Sequence, residues 1–230
     1  MEKAGTALST RWARLSSDTA ADAASSLAAR LRVSVPSVVL TAFGLALGRR
    51  TGRDKLMIAV YANNRSDPRW QTLVTCQNQI VPLLLTVDPA EAFGAVVHRT
   101  HWDLVPAYRH GAYNVDDMVE LGLQYGYSGS VNGSFEGSVL GFFRYFFNYL
   151  GPYDQEKTYP KSEIETGTTG RNIGAPLYLQ IQDGRTLTCT LRENSSSPND
   201  VTGILLLMEE IILAAGEHPA DRDLPASKGI

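Results

Sequence analysis

Cysteine is scarce in this chain, with two in 230 residues, and histidine is nearly as rare, with four. Cys76 and Cys189 have no Cys or His at ligand spacing. That argues against a disulfide framework or a metal site and predicts free buried thiols that behave as small hydrophobes. Charge of one sign never accumulates: the net charge is −3, the isoelectric point is near 5.8, and no basic run interleaves with aromatics. No nucleic-acid partner is therefore expected. Long hydrophobic runs are missing too. The longest, residues 204–208 and 80–85, fall far short of the ~20 needed to cross a bilayer. The N-terminal Met1-Glu2-Lys3-Ala4-Gly5 is not a hydrophobic secretory segment, so a cytoplasmic protein with no membrane partner is expected. No Gly-x-Ser-x-Gly elbow, phosphate-binding loop, dinucleotide fingerprint or internal repeat is present.

What remains is an ordinary globular composition, 43% hydrophobic and 20% charged. Alternation over residues 7–15 predicts a strand. Ser16, Ser17 and Asp18 offer N-caps for an Ala-rich helix to about residue 31, and Pro36 opens a second helix that Gly48 and Gly52 lead out. Residues 56–65 form an apolar strand with a polar end, and the run from Ile80 to Val87, rich in branched residues, predicts a strand buried on both faces. A helix is expected from residue 89 to about 109 and another over 115–123. A Gly- and Ser-rich loop over 122–141 follows. Phe142, Phe143, Tyr145, Phe146 and Phe147 mark a strand over 141–150. Left uncovered, that aromatic strand would promote self-association. Residues 152–174 read as a polar loop, and Asp183-Gly184 centres a hairpin of strands 177–182 and 187–191. Asn199-Asp200 caps a final helix over 201–215, and residues 219–230 have a linker's composition. One domain over 1–218 with a mixed sheet covered by helices is the expected fold.

Several runs match a known pattern. Thr75-Cys76-Gln77-Asn78-Gln79-Ile80-Val81-Pro82-Leu83 resembles a Gly-x-Phe-Val-Asn-Thr-Leu-Pro-Leu strand, with Thr75 and Gln79 replacing the Gly and Asn. Arg50-Thr51-Gly52-Arg53-Asp54 resembles a shared helix end, and the run from His110 to Met118 resembles a His-Gln-Asp-x-Pro-Phe-Glu-x-Leu segment with Asn114 replacing the Pro. Together they resemble the C-terminal half of the condensation domains of nonribosomal peptide synthetases, which have the α/β (α+β) chloramphenicol acetyltransferase-like fold.

The resemblance implies an acyltransferase fold whose catalytic His-His-x-x-x-Asp-Gly motif lies in the other, N-terminal half. None of His98, His101, His110 and His218 is followed four residues later by Asp. The expected role is therefore one wall of a tunnel joining carrier-tethered acyl or peptidyl donors to an amine or hydroxyl, inactive without the catalytic half. The alternative is an inactive scaffold recruiting carrier proteins or accessory enzymes. A free-standing acetyltransferase is disfavoured, because its own catalytic His motif is absent. No cofactor is expected to bind directly, and the partners implied are the N-terminal half and peptidyl carrier proteins bearing a phosphopantetheine arm. Arg65, Asn78, Gln79, His110 and Asn148 are the residues the resemblance places at the tunnel or in its bracing. Arg65 needs a paired anion if buried, with Asp67 a candidate. The Asn148 amide either completes a sheet hydrogen bond or touches the arm. His98 and His101 share a helical face, either as a solvated or hydrogen-bonded pair or as two metal ligands lacking a third.

Overall fold

The computed structural model describes residues 10–65, 68–70, 72, 74–88, 90–124, 143–153, 157–170, 175–194 and 200–217. Most of the predicted 122–141 loop, the 219–230 tail, Asp67, Asn199 and His218 lie outside them. Strand β1 (Thr10–Ser17) leads into α1 (Asp18–Leu31), whose first turn is capped by Ser17 Oγ accepting from Ala20 N at 3.1 Å. Helix α2 (Val35–Thr51) follows, with Pro in its first turn and a left-handed Gly52 (φ 66°) at its end. Gly48 does not lead α2 out. It lies inside the helix, where a Cβ would stand 2.9 Å from the Val87 methyls. The chain continues through β2 (Lys55–Ala62), β3 (Gln79–Thr86), α3 (Phe93–Arg109), α4 (Val115–Gln124), β4 (Tyr145–Pro152), β5 (Glu163–Thr169), β6 (Leu177–Asp183), β7 (Leu187–Glu193) and α5 (Val201–Glu217). Asp200 caps α5 through Gly203 N at 2.8 Å. Helix α3 starts later than expected because Asp88 turns the chain first, accepting from Ala90 N.

The seven strands form one mixed sheet in the order β3-β2-β4-β6-β7-β1-β5. Strand β4 is parallel to both neighbours, β2 and β6, and the remaining pairs are antiparallel. Period-2 alternation sorts the side chains onto two faces. One bears Leu15, Leu56, Ile58, Val60, Leu83, Phe147, Leu179 and Leu191, packed against α1, α2 and α5 in the main core. The other centres on Ala59, Ile80, Phe146 and Ala175, with Tyr61, Phe143 and Tyr178 packed on them, and no described helix contributes to that cluster. No single helix among the described residues is long and apolar enough to cross a membrane.

Three expectations need correcting. Strand β3 is not buried on both faces: among the described strands it is an edge strand paired only with β2, and Pro82 and Leu84 are exposed. Pro82 is tolerated there because an edge residue has no second ladder to supply. Residues 152–174 are not all loop, because β5 pairs along its length with β1. Its Glu and Thr content hid it, since an edge strand with an exposed face needs little apolar sequence. The aromatic strand does not leave Phe146 and Phe147 uncovered. Strand β4 sits mid-sheet, Phe146 is 0% and Phe147 1% exposed, and β4 begins at Tyr145 rather than 141.

The thiols also divide. Cys189 is buried as expected, whereas Cys76 is exposed, in the segment before β3. Burial, with Glu209 nearby adding to it, pushes the Cys189 thiol from 9.0 up to about 12. The folded state thus favours the protonated thiol. The resulting stabilisation is intact below about pH 9 and is lost as pH rises towards about 12, by up to about 1.4 kcal/mol per pH unit. Urea unfolding at about pH 8 and about pH 10 is expected to show this decline, and Cys189→Ala to reduce it. An unchanged slope in the variant would contradict the assignment. Iodoacetamide is expected to label Cys76 in the native protein and Cys189 only after unfolding.

Candidate functional site

The antiparallel β2–β3 pair closes with Ala62 opposite Gln79, just where β2 leaves the sheet. Two residues on, Asn64 takes a left-handed conformation (φ 53°), which Asn tolerates better than most side chains. Its Nδ2 is thereby turned towards three acceptors: Gln77 O at 3.0 Å, Gln79 Oε1 at 3.1 Å and Gly111 O at 2.9 Å. Gln79 in turn clamps the α3–α4 turn, its Nε2 donating to Tyr113 O at 2.7 Å and its Oε1 accepting from Tyr113 N at 3.1 Å. Tyr113 Oη then donates to Ile80 O at 2.7 Å. Gly111 fits because it lacks a side chain: a Cβ there would stand 2.8 Å from both Ala62 Cβ and Asn64 Oδ1.

This knot walls an open cleft of about 360 Å³ lined by Asn64, Cys76, Gln77, Asn78, Gln79 and Ala112. Four carboxamides and a thiol face it, and among the described residues no lining side chain carries a full charge. The cleft therefore suits a neutral polar group rather than an ion. Cys76 Sγ donates to Asn78 Oδ1 at 2.6 Å. Gln77 Oε1 is buried and has no hydrogen-bond partner among the described residues, so an N–H or O–H from a bound molecule would satisfy it.

On the sheet face to which no described helix contributes, Asn148 Nδ2 donates to Tyr178 Oη at 2.7 Å, and the Tyr178 ring meets Tyr61 edge-on at 6.1 Å. Burial pushes the Tyr61 hydroxyl up to about 12, with Tyr178 and Cys76 near enough to add to it. Asn148, Tyr178, Tyr61 and Cys76 thus form a chain of neighbours leading from mid-sheet to the cleft.

Four of the five residues singled out in the sequence gather at the end of the β2–β3 pair, and Asn148 reaches it through the two tyrosines. Gln79 and Asn78 line the cleft. Arg65 is only partly exposed rather than buried and donates to Thr75 O at 2.5 Å, bracing the segment that leads into β3. His110 ends α3, its N–H donating to Pro106 O and Ala107 O, with its ring exposed. Asn114 takes over the capping of α4, accepting from Asp116 N at 3.0 Å. On the face of α3, Trp102 Nε1 donates to His98 Nε2 at 3.4 Å, and His101 Nδ1 bonds Ser37 Oγ at 3.0 Å. No three His, Cys, Asp or Glu side chains among the described residues group as metal ligands. Sequence reasoning missed Asn64, Tyr61, Tyr113 and Tyr178. Asn63-Asn64 after an apolar strand is a turn signal that marks one of them.

Asn148→Ala is expected to cost about 1 kcal/mol, the usual net worth of a neutral hydrogen bond. Tyr178→Phe removes the same bond, so urea unfolding of the double variant should show coupling. Strict additivity would mean that the bond contributes nothing.

The condensation-domain family model matches residues 3–140, more than half of the chain, and the chain belongs to that family. No curated protein matches it significantly. Among solved structures, it is similar to the condensation domain of the Monacolin K polyketide synthase MokA, at 16% identity and a TM-score of 0.72, over 96% of this chain and 51% of that one. It is similar to a condensation domain mediating chain release from the enacyloxin polyketide synthase, at 14% identity and TM-score 0.68, covering 96% and 44%. The cyclization-docking bidomain of the EpoB nonribosomal peptide synthetase from Sorangium cellulosum matches at 16% and 0.67, covering 92% and 43%. The chain thus spans about half the length of the structures it resembles, and at these identities the likeness establishes the fold.

Proposed function

We propose that this chain forms one wall of a condensation tunnel, in which a carrier-tethered acyl or peptidyl donor meets an amine or hydroxyl acceptor. The His-His-x-x-x-Asp-Gly half is contributed by another segment, of the same synthetase or of a separate chain. The observation that carries this reading is the row Asn148, Tyr178 and Tyr61 on the sheet face opposite the described helices, leading to the carboxamide-lined cleft. A phosphopantetheine arm bears two amides. Their N–H groups suit the unmet Gln77 Oε1, and their carbonyls suit the carboxamide of Asn78. Among the described residues the cleft lining holds no carboxylate or imidazole, so this wall is read as binding and orienting while proton transfer falls to the other half.

Mixing the chain with a separately expressed catalytic half and two loaded carrier proteins tests the assignment. Product is expected only when both halves are present. Turnover by this chain alone would overturn it. Retention of carrier proteins on the immobilised chain, without turnover in any pairing, would favour the recruiting scaffold instead.

A further inference from the structure

We propose that Arg192 and Arg14, with the Trp12 indole beside both, form a subsite for a phosphodiester monoanion on the sheet face opposite the described helices. The proposal rests on the tunnel reading and places the phosphate end of the carrier-borne arm. Strand register sets Arg192 of β7 directly between Trp12 of β1 and Tyr178 of β6. The Arg14 guanidinium lies over the Trp12 ring, 5.5 Å from its centre, and donates to Thr190 Oγ1 at 3.3 Å. Gly167 opposite leaves room for that ring, since a Cβ there would stand 2.7 Å from Trp12 Cζ2.

The charges do not balance. Glu165 faces Arg14 at 3.5 Å with both side chains about half exposed. Arg192, partly buried, donates among the described residues only to a neutral acceptor, Gln180 Oε1 at 2.8 Å. A guanidinium stays charged at any ordinary pH, and its planar fork matches the oxygens of a phosphate or carboxylate. Two guanidiniums against one carboxylate leave a single positive charge, which a monoanion neutralises and a dianion would exceed. From β1 to β2 the sheet crosses four strand intervals, about 19 Å at the usual spacing. Along that band run Arg192, Tyr178, Asn148, Tyr61 and the uncharged cleft. A molecule with an anionic head and a neutral amide tail fits this order, charge to charge and amide to amide.

Fluorescence titration of the chain with Trp70→Phe and Trp102→Phe leaves Trp12 as the only indole. Pantetheine 4′-methylphosphate, a phosphodiester, is expected to change Trp12 emission saturably and to bind more weakly as salt rises. Arg192→Gln is expected to weaken it about tenfold, and Arg14→Gln by a smaller factor, because Arg14 already faces Glu165. Unchanged melting temperatures would show that both variants fold. Pantetheine, which lacks the phosphate, is expected to bind more weakly than the diester and with no dependence on Arg192. Equal binding of the two, indifferent to Arg192→Gln, would remove the phosphate subsite and leave the tunnel reading standing. A response to N-acetylaspartate but not to the diester would assign the site to a protein carboxylate and overturn the proposal, as would no response to either.

Discussion

Phe147→Ala is expected to lower folding stability by about 3–5 kcal/mol, the range for removing a buried aromatic ring from a packed core. Phe147 is 1% exposed, on the middle strand of the mixed sheet, facing the helices within the main cluster. Its replacement leaves a cavity bounded on one side by Val60 and on the other by Leu179, its register partners on β2 and β6. Neither strand can close in, because the backbone ladders fix their spacing at about 4.8 Å. At about 2–4 °C per kcal/mol for a chain of this size, the melting temperature should fall by roughly 10 °C. A change within about 0.5 kcal/mol, the range of an exposed site, would mean that the aromatic strand is a surface after all.

Asn64→Ala is expected to cost about 2–3 kcal/mol, although the residue is not part of the apolar core. Its two N–H protons are shared among Gln77 O, Gln79 Oε1 and Gly111 O, and a partly buried acceptor that loses its donor bears a desolvation penalty. Alanine also accepts the left-handed backbone at φ 53° less readily than asparagine. Asn64→Asp sharpens the test, because it keeps the shape while turning an acceptor towards those three oxygens. It is expected to be at least as damaging as the alanine. Since Gln79 and Tyr113 hang on the same knot, loss of Asn64 should also loosen the α3–α4 turn, seen as faster amide exchange at Tyr113. Unaltered exchange there would separate the turn from the knot.

Local sequence determined much of this protein. Ser17 before an Ala-rich run, Pro36 at a helix start, Gly52 at its end and Asp183-Gly184 between two strands all act within a few residues, and each marks an element the structure contains. The family likeness rested on such short runs, and the family model bears it out. Only the tertiary structure decided which side of each element is covered and which distant groups meet. Strand β5 is invisible to composition because its pairing with β1, more than 140 residues away, supplies the order that its own Glu and Thr residues do not. Pro82 and Leu84 look like core until β3 proves to be the sheet edge. Asn148 touches Tyr178, and Arg192 lies between Trp12 and Tyr178, only because strand order and register bring them together. A strand's period tells which residues share a face, but the face to which helices dock is chosen by packing of the whole chain.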